Sequence, residues 1–235
     1  CTKSLWNSRA LKMSTKVFRM LIMGAPASGK GTISARIVKR FNFQHISSGD
    51  LLRNNIDKKT QLGIQAADYV TKGQLVPDNL IISCVVDRLQ GEGAARVLLD
   101  GFPRTRPQAE ELGKVLPLDG VVNLNVPYEV IIDRVKSRWV HLPSGRVYNI
   151  GFNEPKVPFK DDITGEDLIQ RPDDHPDAVK KRLEIYDSIT KPLLEYYKAQ
   201  ELLVEFWGKT SDAIWPNVEK FLAKSLLEKT EQKAL

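Results

Sequence analysis

The run Gly24-Ala25-Pro26-Ala27-Ser28-Gly29-Lys30-Gly31-Thr32 constrains this chain more than any other segment. It follows the apolar stretch from Val17 to Met23, which reads as a buried strand. It precedes Ile33, Ile37, Val38 and Phe41, whose spacing is that of one helix face. The spacing G-x-x-x-x-G-K between a strand and a helix is that of a polyphosphate cradle. Glycines let successive backbone N–H groups point inward, the helix N-terminus adds partial positive charge, and Lys30 adds a full one. Gly31 stands where Ser or Thr usually ligates magnesium, and Thr32 comes one residue late. The metal is therefore expected to be held through waters and a carboxylate.

Further short apolar runs, Val97–Asp100 and Val121–Val126, are each closed by a glycine or proline signal. Helical spacing lies between them, so the chain alternates strand and helix, which predicts an α/β fold with a parallel sheet covered on both faces. Val179, Leu183, Tyr186, Ile189, Leu193 and Tyr197 step by three and four, predicting one long helix kinked at Pro192. A last strand over Leu202–Phe206 would complete the sheet. Residues 139–176 break the alternation with five prolines and no helical period. Stretches this long tend to be lids or binding loops. The short β-like pieces Arg146-Val147-Tyr148 and Leu168-Ile169 favour a small folded insert.

Composition narrows the class. The 235 residues fit one domain with inserts, at roughly 100–200 residues per domain. No apolar run reaches the ~18 residues of a transmembrane helix. Cys1 and Cys84 cannot build a disulfide framework, which suits a reducing compartment. Net charge is +6, and Lys3, Arg9, Lys12, Lys16 and Arg19 account for five of it. No basic stripe interleaved with aromatics is visible, so neither nucleic acid nor membrane is an expected partner. No Asp or Glu precedes Asp50, and a basic, acid-free start reads as organelle targeting or as a solvated tail. Met13 is a plausible true start, residues 1–12 then being leader or cloning sequence.

Five further blocks follow the loop in order: Ser47-Ser48-Gly49-Asp50-Leu51-Leu52-Arg53; Asp100-Gly101-Phe102-Pro103-Arg104-Thr105; Asp133-Arg134 with Arg138; Arg171-Pro172-Asp173-Asp174; and Lys181-Arg182-Leu183. With them the chain resembles the adenylate kinases, nucleoside monophosphate kinases of the long-lid type, over about residues 17–220. The run Trp139-Val140-His141 with Gly145–Asn149, Thr190-Lys191-Pro192 and Ile214-Trp215-Pro216 is similar to that family's GTP:AMP branch of the mitochondrial matrix. The resemblance implies a three-layer P-loop kinase fold. The core would be 17–47, 77–136 and 175–224, with a helical monophosphate-binding insert at 48–76 and a small β lid at 137–174. Residues 1–16 would form a basic extension and 225–235 a tail. It implies transfer of the γ-phosphoryl of GTP to AMP with Mg2+, by a monomer that takes small-molecule nucleotides. The alternatives are an ATP:AMP enzyme, which would weaken the mitochondrial address in favour of the cytoplasm, and a UMP/CMP kinase, whose short-lid members lack this insert. A signalling GTPase would need an Asn-Lys-x-Asp, which is absent.

Phosphoryl transfer needs two phosphate chains aligned and neutralised, and little covalent work by protein groups. Planar, permanently charged arginine forks suit that task better than lysine. By resemblance Lys30, Arg104, Arg138, Arg171 and Arg182 are catalytic. The donor would lie on Gly24, Ala27, Ser28, Gly29, Lys30, Gly31, Thr32, Arg134, Arg138, Val147, Tyr148 and Ser211. Arg134 would pack over its base, and backbone of the Gly208–Ser211 loop would contact it. AMP would take Ser48, Arg53, Gln74, Leu75, Val76, Gly101, Phe102, Pro103, Arg104, Gln108, Arg171 and Arg182. Asp100 and Asp50 would orient magnesium waters, a helix cap being the competing role for Asp50. Some long-lid relatives hold zinc with cysteines in the lid. Here those positions read His141, Ser144, Asp161 and Thr164, a poor ligand set, so a hydrogen-bonded cluster without zinc is expected.

Overall fold

A computed structural model describes residues 17–90, 95–151 and 153–231. The basic N-terminal extension and the end of the tail lie outside the described residues. The chain runs β1 (Phe18–Gly24), α1 (Lys30–Phe41), β2 (Gln44–Ser47), α2 (Ser48–Asp57), α3 (Gln61–Thr71), α4 (Asp78–Gln90), β3 (Arg96–Asp100), α5 (Arg106–Val115), β4 (Gly120–Asn125) and α6 (Tyr128–Lys136). It continues through β5 (Arg138–His141), β6 (Arg146–Asn149), α7 (Pro176–Ile185), α8 (Leu193–Lys198), β7 (Leu203–Trp207) and α9 (Ser211–Glu231).

The main sheet is parallel, in the order β2-β3-β1-β4-β7. Successive side chains of a strand point to opposite faces, so a strand buried on both faces reads as a continuous apolar run. That is the reason β1 looks as it does. Met20 and Ile22 pack with Ile33 and Ile37 of α1 and Ile214, Val218 and Leu222 of α9. Leu21 and Met23 pack on the other face with Val85 of α4, Ala109 and Leu112 of α5, and Leu193 and Tyr197. The result is a three-layer α/β domain. The helices that follow β1 and β3, adjacent strands, cover opposite faces, so the chain opens a crevice at the carboxyl ends of the strands, where ligands of such sheets bind.

The expected long helix is divided. α7 ends at Ile185, a π-helical turn spans Tyr186–Thr190, and α8 resumes after Pro192. The proline lacks an N–H and disfavours helical backbone just before it, and the wide turn absorbs this upstream through Lys191 N–H to Tyr186 O at 2.7 Å. The extra residue rotates the apolar face, which leaves Ile189 exposed rather than in the core. β7 starts one residue later than expected, and Leu202 still accepts from Val121 N–H. α9 runs on through residues 225–231, a segment set apart above as a tail.

Two small units sit over the crevice. β5 and β6 form an antiparallel hairpin, extended by a bridge from Val140 to Ile169. On the other side α2 and α3 form a helical hairpin whose close approach depends on Gly63. Thr60 caps α3 by accepting from Gly63 N–H, and a Cβ on Gly63 would lie 2.0 Å from the Asn55 carbonyl oxygen. Gly63→Ala must push the two helices apart. It is expected to cost at least about 1–3 kcal/mol and, at about 2–4 °C per kcal/mol, to lower Tm by several degrees in differential scanning fluorimetry.

Candidate active site

The loop after β1 turns on backbone that favours glycine. Gly24 has φ 141° and Gly29 φ 93°, and a Cβ on Gly29 would lie 2.7 Å from Ser211 Oγ. α1 then begins at Lys30 with no side-chain cap and no acidic residue in its first turn. Its leading N–H groups are therefore left for an anion, with the helix dipole behind them. Lys30 Nζ donates to the carbonyls of Gly24 at 2.8 Å and Ala25 at 2.9 Å, folded back on its own loop. Burial pulls its pKa down to about 8, helped by the charges of Arg104, Arg182 and Arg138 and opposed by Asp100.

Those arginines converge from distant parts of the chain. Arg53, Arg104, Arg138, Arg171 and Arg182 line the cleft that Lys30 faces. Two adjacent carboxylates hold part of the group in place. Asp174 accepts from Arg138 Nε at 2.7 Å and pairs with its Nη2, while Asp173 accepts from Arg182 at 2.8 Å. Asp50 accepts from Arg53 at 2.6 Å, which outweighs burial and holds its carboxyl below the usual range. Burial and the neighbouring cations lower Arg104 and Arg171 to about 10, and the buried Nε of Arg171 has no hydrogen-bond partner. Both still carry full charge at neutral pH. The cleft is thus an assembly of crowded cations, short of anions.

It has two parts. The smaller pocket lies under α2 and α3 and is lined by Ser48, Arg53, Gln74, Leu75, Val76, Gly101, Arg104, Gln108 and Arg182 among others. Ser48 Oγ and Arg104 Nε both donate to Gly101 O at 2.7 Å, tying the insert to the end of β3. The larger part runs along the phosphate loop, with Gly24, Ala27, Gly29, Gly31, Thr32, Asp50, Asp100, Pro103, Arg134, Val147 and Ser211 on its wall. Three expected residues lie off both walls. Phe102 packs in the core, the buried Ser28 hydroxyl faces inward against Gly24, and Tyr148 turns its hydroxyl to Asp161 in the lid. Arg134 is tied down by Ala27 O at 3.1 Å and Lys209 O at 2.8 Å, so it clamps the phosphate loop to the 208–211 loop.

The sequence profile described as adenylate kinase matches residues 22–202. The chain belongs to the adenylate kinase family. It is 52% identical over 210 residues, 89% of this chain and 97% of the other, to a Drosophila melanogaster protein named "GTP:AMP phosphotransferase, mitochondrial". It is 46% identical over 213 residues, 86% of this chain and 91% of the other, to a Saccharomyces cerevisiae protein of the same name. As an adenylate kinase it is a phosphotransferase with nucleotide substrates.

Magnesium suits the donor set of this adenylate kinase. Asp100 ends β3 on the cleft wall with its side chain 12% exposed, 3.5 Å from His45 Nε2, and the Thr32 hydroxyl lies on the same wall. These are hard oxygen donors. Among the described residues no three His, Cys, Asp or Glu gather into a cage, and magnesium characteristically uses one or two carboxylates with waters and substrate phosphates. Asp50 is not the cap of α2: that role belongs to Ser47, which accepts from Asp50 N–H, and Asp50 lies inside the first turn of the helix that starts at Ser48.

The four lid positions meet in one polar cluster. His141 Nδ1 lies 2.7 Å from Ser144 Oγ and its Nε2 2.5 Å from Glu166. Asp161 accepts from Arg146 at 2.7 and 2.6 Å, from Tyr148 OH at 2.9 Å and from Thr164 N–H at 2.9 Å. The Arg146 fork above all holds the Asp161 carboxyl far below the usual range. His45, Arg36 and Asp212 also line the cleft and were missed by sequence reasoning, as nothing in their spacing marks them.

Burying the Lys30 ammonium costs stability when no phosphate is present. Its folded pKa of about 8 lies below the ordinary 10.5, so the unfolded chain binds more protons between those values and stability rises with pH there. Lys30→Met is expected to abolish activity while raising the Tm of nucleotide-free enzyme at pH 7 by several degrees. That advantage should shrink as pH is raised from 8 toward 10, as read by thermal melts of both proteins across the range.

Proposed function

We propose that this adenylate kinase transfers the γ-phosphoryl group of GTP to AMP, giving GDP and ADP, in the mitochondrial matrix. The observation that carries this reading is the identity of 52% to the Drosophila GTP:AMP phosphotransferase across 97% of that protein. The two-part cleft supports it, because its halves share Arg104 and Arg182 where two phosphate chains would meet.

AMP enters the pocket under α2 and α3, its phosphate between Arg53 and Arg104 and its base toward Gln108. The triphosphate lies along the loop, with the N-terminus of α1 and Lys30 on the phosphates. Lys30 exchanges two carbonyls for phosphate oxygens as it swings out. Arg138 meets the donor phosphates, and Arg171 and Arg182 bridge to the acceptor. The attacking phosphate oxygen is already ionised at pH 7, so no general base is required. Catalysis is alignment and charge neutralisation. Asp100, with Asp50, would hold Mg2+ through waters, and the ion would supply charge neutralisation on the donor phosphates. The lid excludes water, an unwanted acceptor. Its tip already reaches the insert: a Cβ on Gly145 would lie 3.9 Å from Asp50 Oδ2.

The test is a donor panel with AMP, magnesium and GTP, ITP or ATP, compared by kcat/KM. A preference for GTP and ITP over ATP of about tenfold or more is expected, within what a site reading one base edge achieves. A preference for ATP contradicts the donor assignment and leaves a general ATP:AMP adenylate kinase.

A further inference from the structure

Gln108 stands near the start of α5, 2% exposed, on the wall of the pocket assigned to AMP. A glutamine amide by itself is a poor reader of purines, because turning it over exchanges its donor and its acceptor. Here it is gripped on both sides. The Arg104 backbone N–H, which can only donate, lies 2.7 Å from Oε1. Asp78 Oδ1, a carboxylate oxygen that accepts, lies 2.5 Å from Nε2. Turning the amide over would set donor against donor and acceptor against acceptor. The carboxylate is itself held, since its Oδ2 accepts from Thr105 Oγ1 at 3.0 Å, and that hydroxyl caps α5 by accepting from Gln108 N–H. Asp78 opens α4, so the brace links two helices and spans 30 residues of sequence.

We propose that Asp78 is a positioning residue that makes the acceptor pocket selective for adenine over 6-oxopurines, by fixing which way the Gln108 amide faces. This rests on the reading of that pocket as the AMP site. After its two internal bonds the amide keeps one N–H and one lone pair for the ligand. Adenine presents a 6-amino donor beside the N1 acceptor. Hypoxanthine and guanine present the reverse, a 6-oxo acceptor beside an N1–H donor. A freely turning amide would pair with either pattern. The locked one pairs with adenine alone.

The test compares AMP with IMP, which differ only in this edge of the base, as acceptors for wild type, Asp78→Asn, Asp78→Ala and Thr105→Ala with one donor. In D78N the new amide can match either orientation of Gln108, so the Asp78 half of the lock is lost while the contact survives, and only the Arg104 N–H still opposes turning the amide over. The AMP:IMP ratio of kcat/KM is expected to fall about tenfold or more in D78N and D78A, the scale of one mispaired buried group. T105A removes the cap and lowers Tm, but leaves the ratio at its wild-type value. If both D78 variants lose AMP and IMP activity in proportion, with the ratio unchanged, Asp78 is a brace for α5 and the proposal fails. A wild-type enzyme without preference for AMP over IMP would overturn it differently, by removing the assignment of the pocket itself.

Discussion

Crowding of positive charge at the carboxyl ends of β1 and β3 is the constraint around which this molecule is built. Lys30, Arg53, Arg104, Arg138, Arg171 and Arg182 share one cleft, and desolvation and mutual repulsion pull Lys30, Arg104 and Arg171 down from their ordinary values. Such a group persists only because other parts of the structure hold it. Asp173 and Asp174, adjacent in sequence, accept hydrogen bonds from arginines of different elements, Arg182 from α7 and Arg138 from the lid hairpin. The balance still leaves the cations short of anions, and this shortage is the source of affinity for two phosphate chains. A cleft fully neutralised by its own carboxylates would be more stable and would bind nucleotide less well.

The fold serves this arrangement. An apolar sheet buried on both faces gives a rigid edge, and helices covering opposite faces leave that edge open. The insert and the lid bring Arg53 and Arg138 to it from outside the core. In the lid, the hydrogen bonds and ion pairs of Asp161, Arg146, His141 and Glu166 do the folding that so small a hydrophobic core could not do alone.

Much of this was legible in the sequence, and for local reasons. The phosphate loop is one contiguous run between a strand and a helix, and two of its glycines, Gly24 and Gly29, stand where the backbone takes positive φ. The strands announced themselves as apolar runs because both of their faces are buried. The arginines were singled out through the family resemblance of the sequence blocks that carry them, and the structure brings them to one cleft. What was not legible depended on partners far apart in the chain. The π turn before Pro192 shifts a helical face by one residue, and no spacing rule shows which side of the proline absorbs it. Tyr148 sits in a lid hairpin one of whose neighbours, Val147, faces the cleft, and strand alternation sends its ring the other way, to Asp161. Asp78 and Gln108 meet across 30 residues with no pattern to link them.

The central claim is that cation crowding in the empty cleft is relieved by bound phosphate. A bisubstrate analogue, adenosine and guanosine joined through five phosphates, tests it directly, because every phosphate in it is bridged on both sides and none titrates near neutrality. Calorimetric binding at pH 8 in buffers of different ionisation enthalpy reads the protons taken up. With Lys30 near half-charged in the nucleotide-free enzyme, uptake of about half a proton per site is expected, lost in Lys30→Met. Binding with no uptake, or with release of protons, would contradict it.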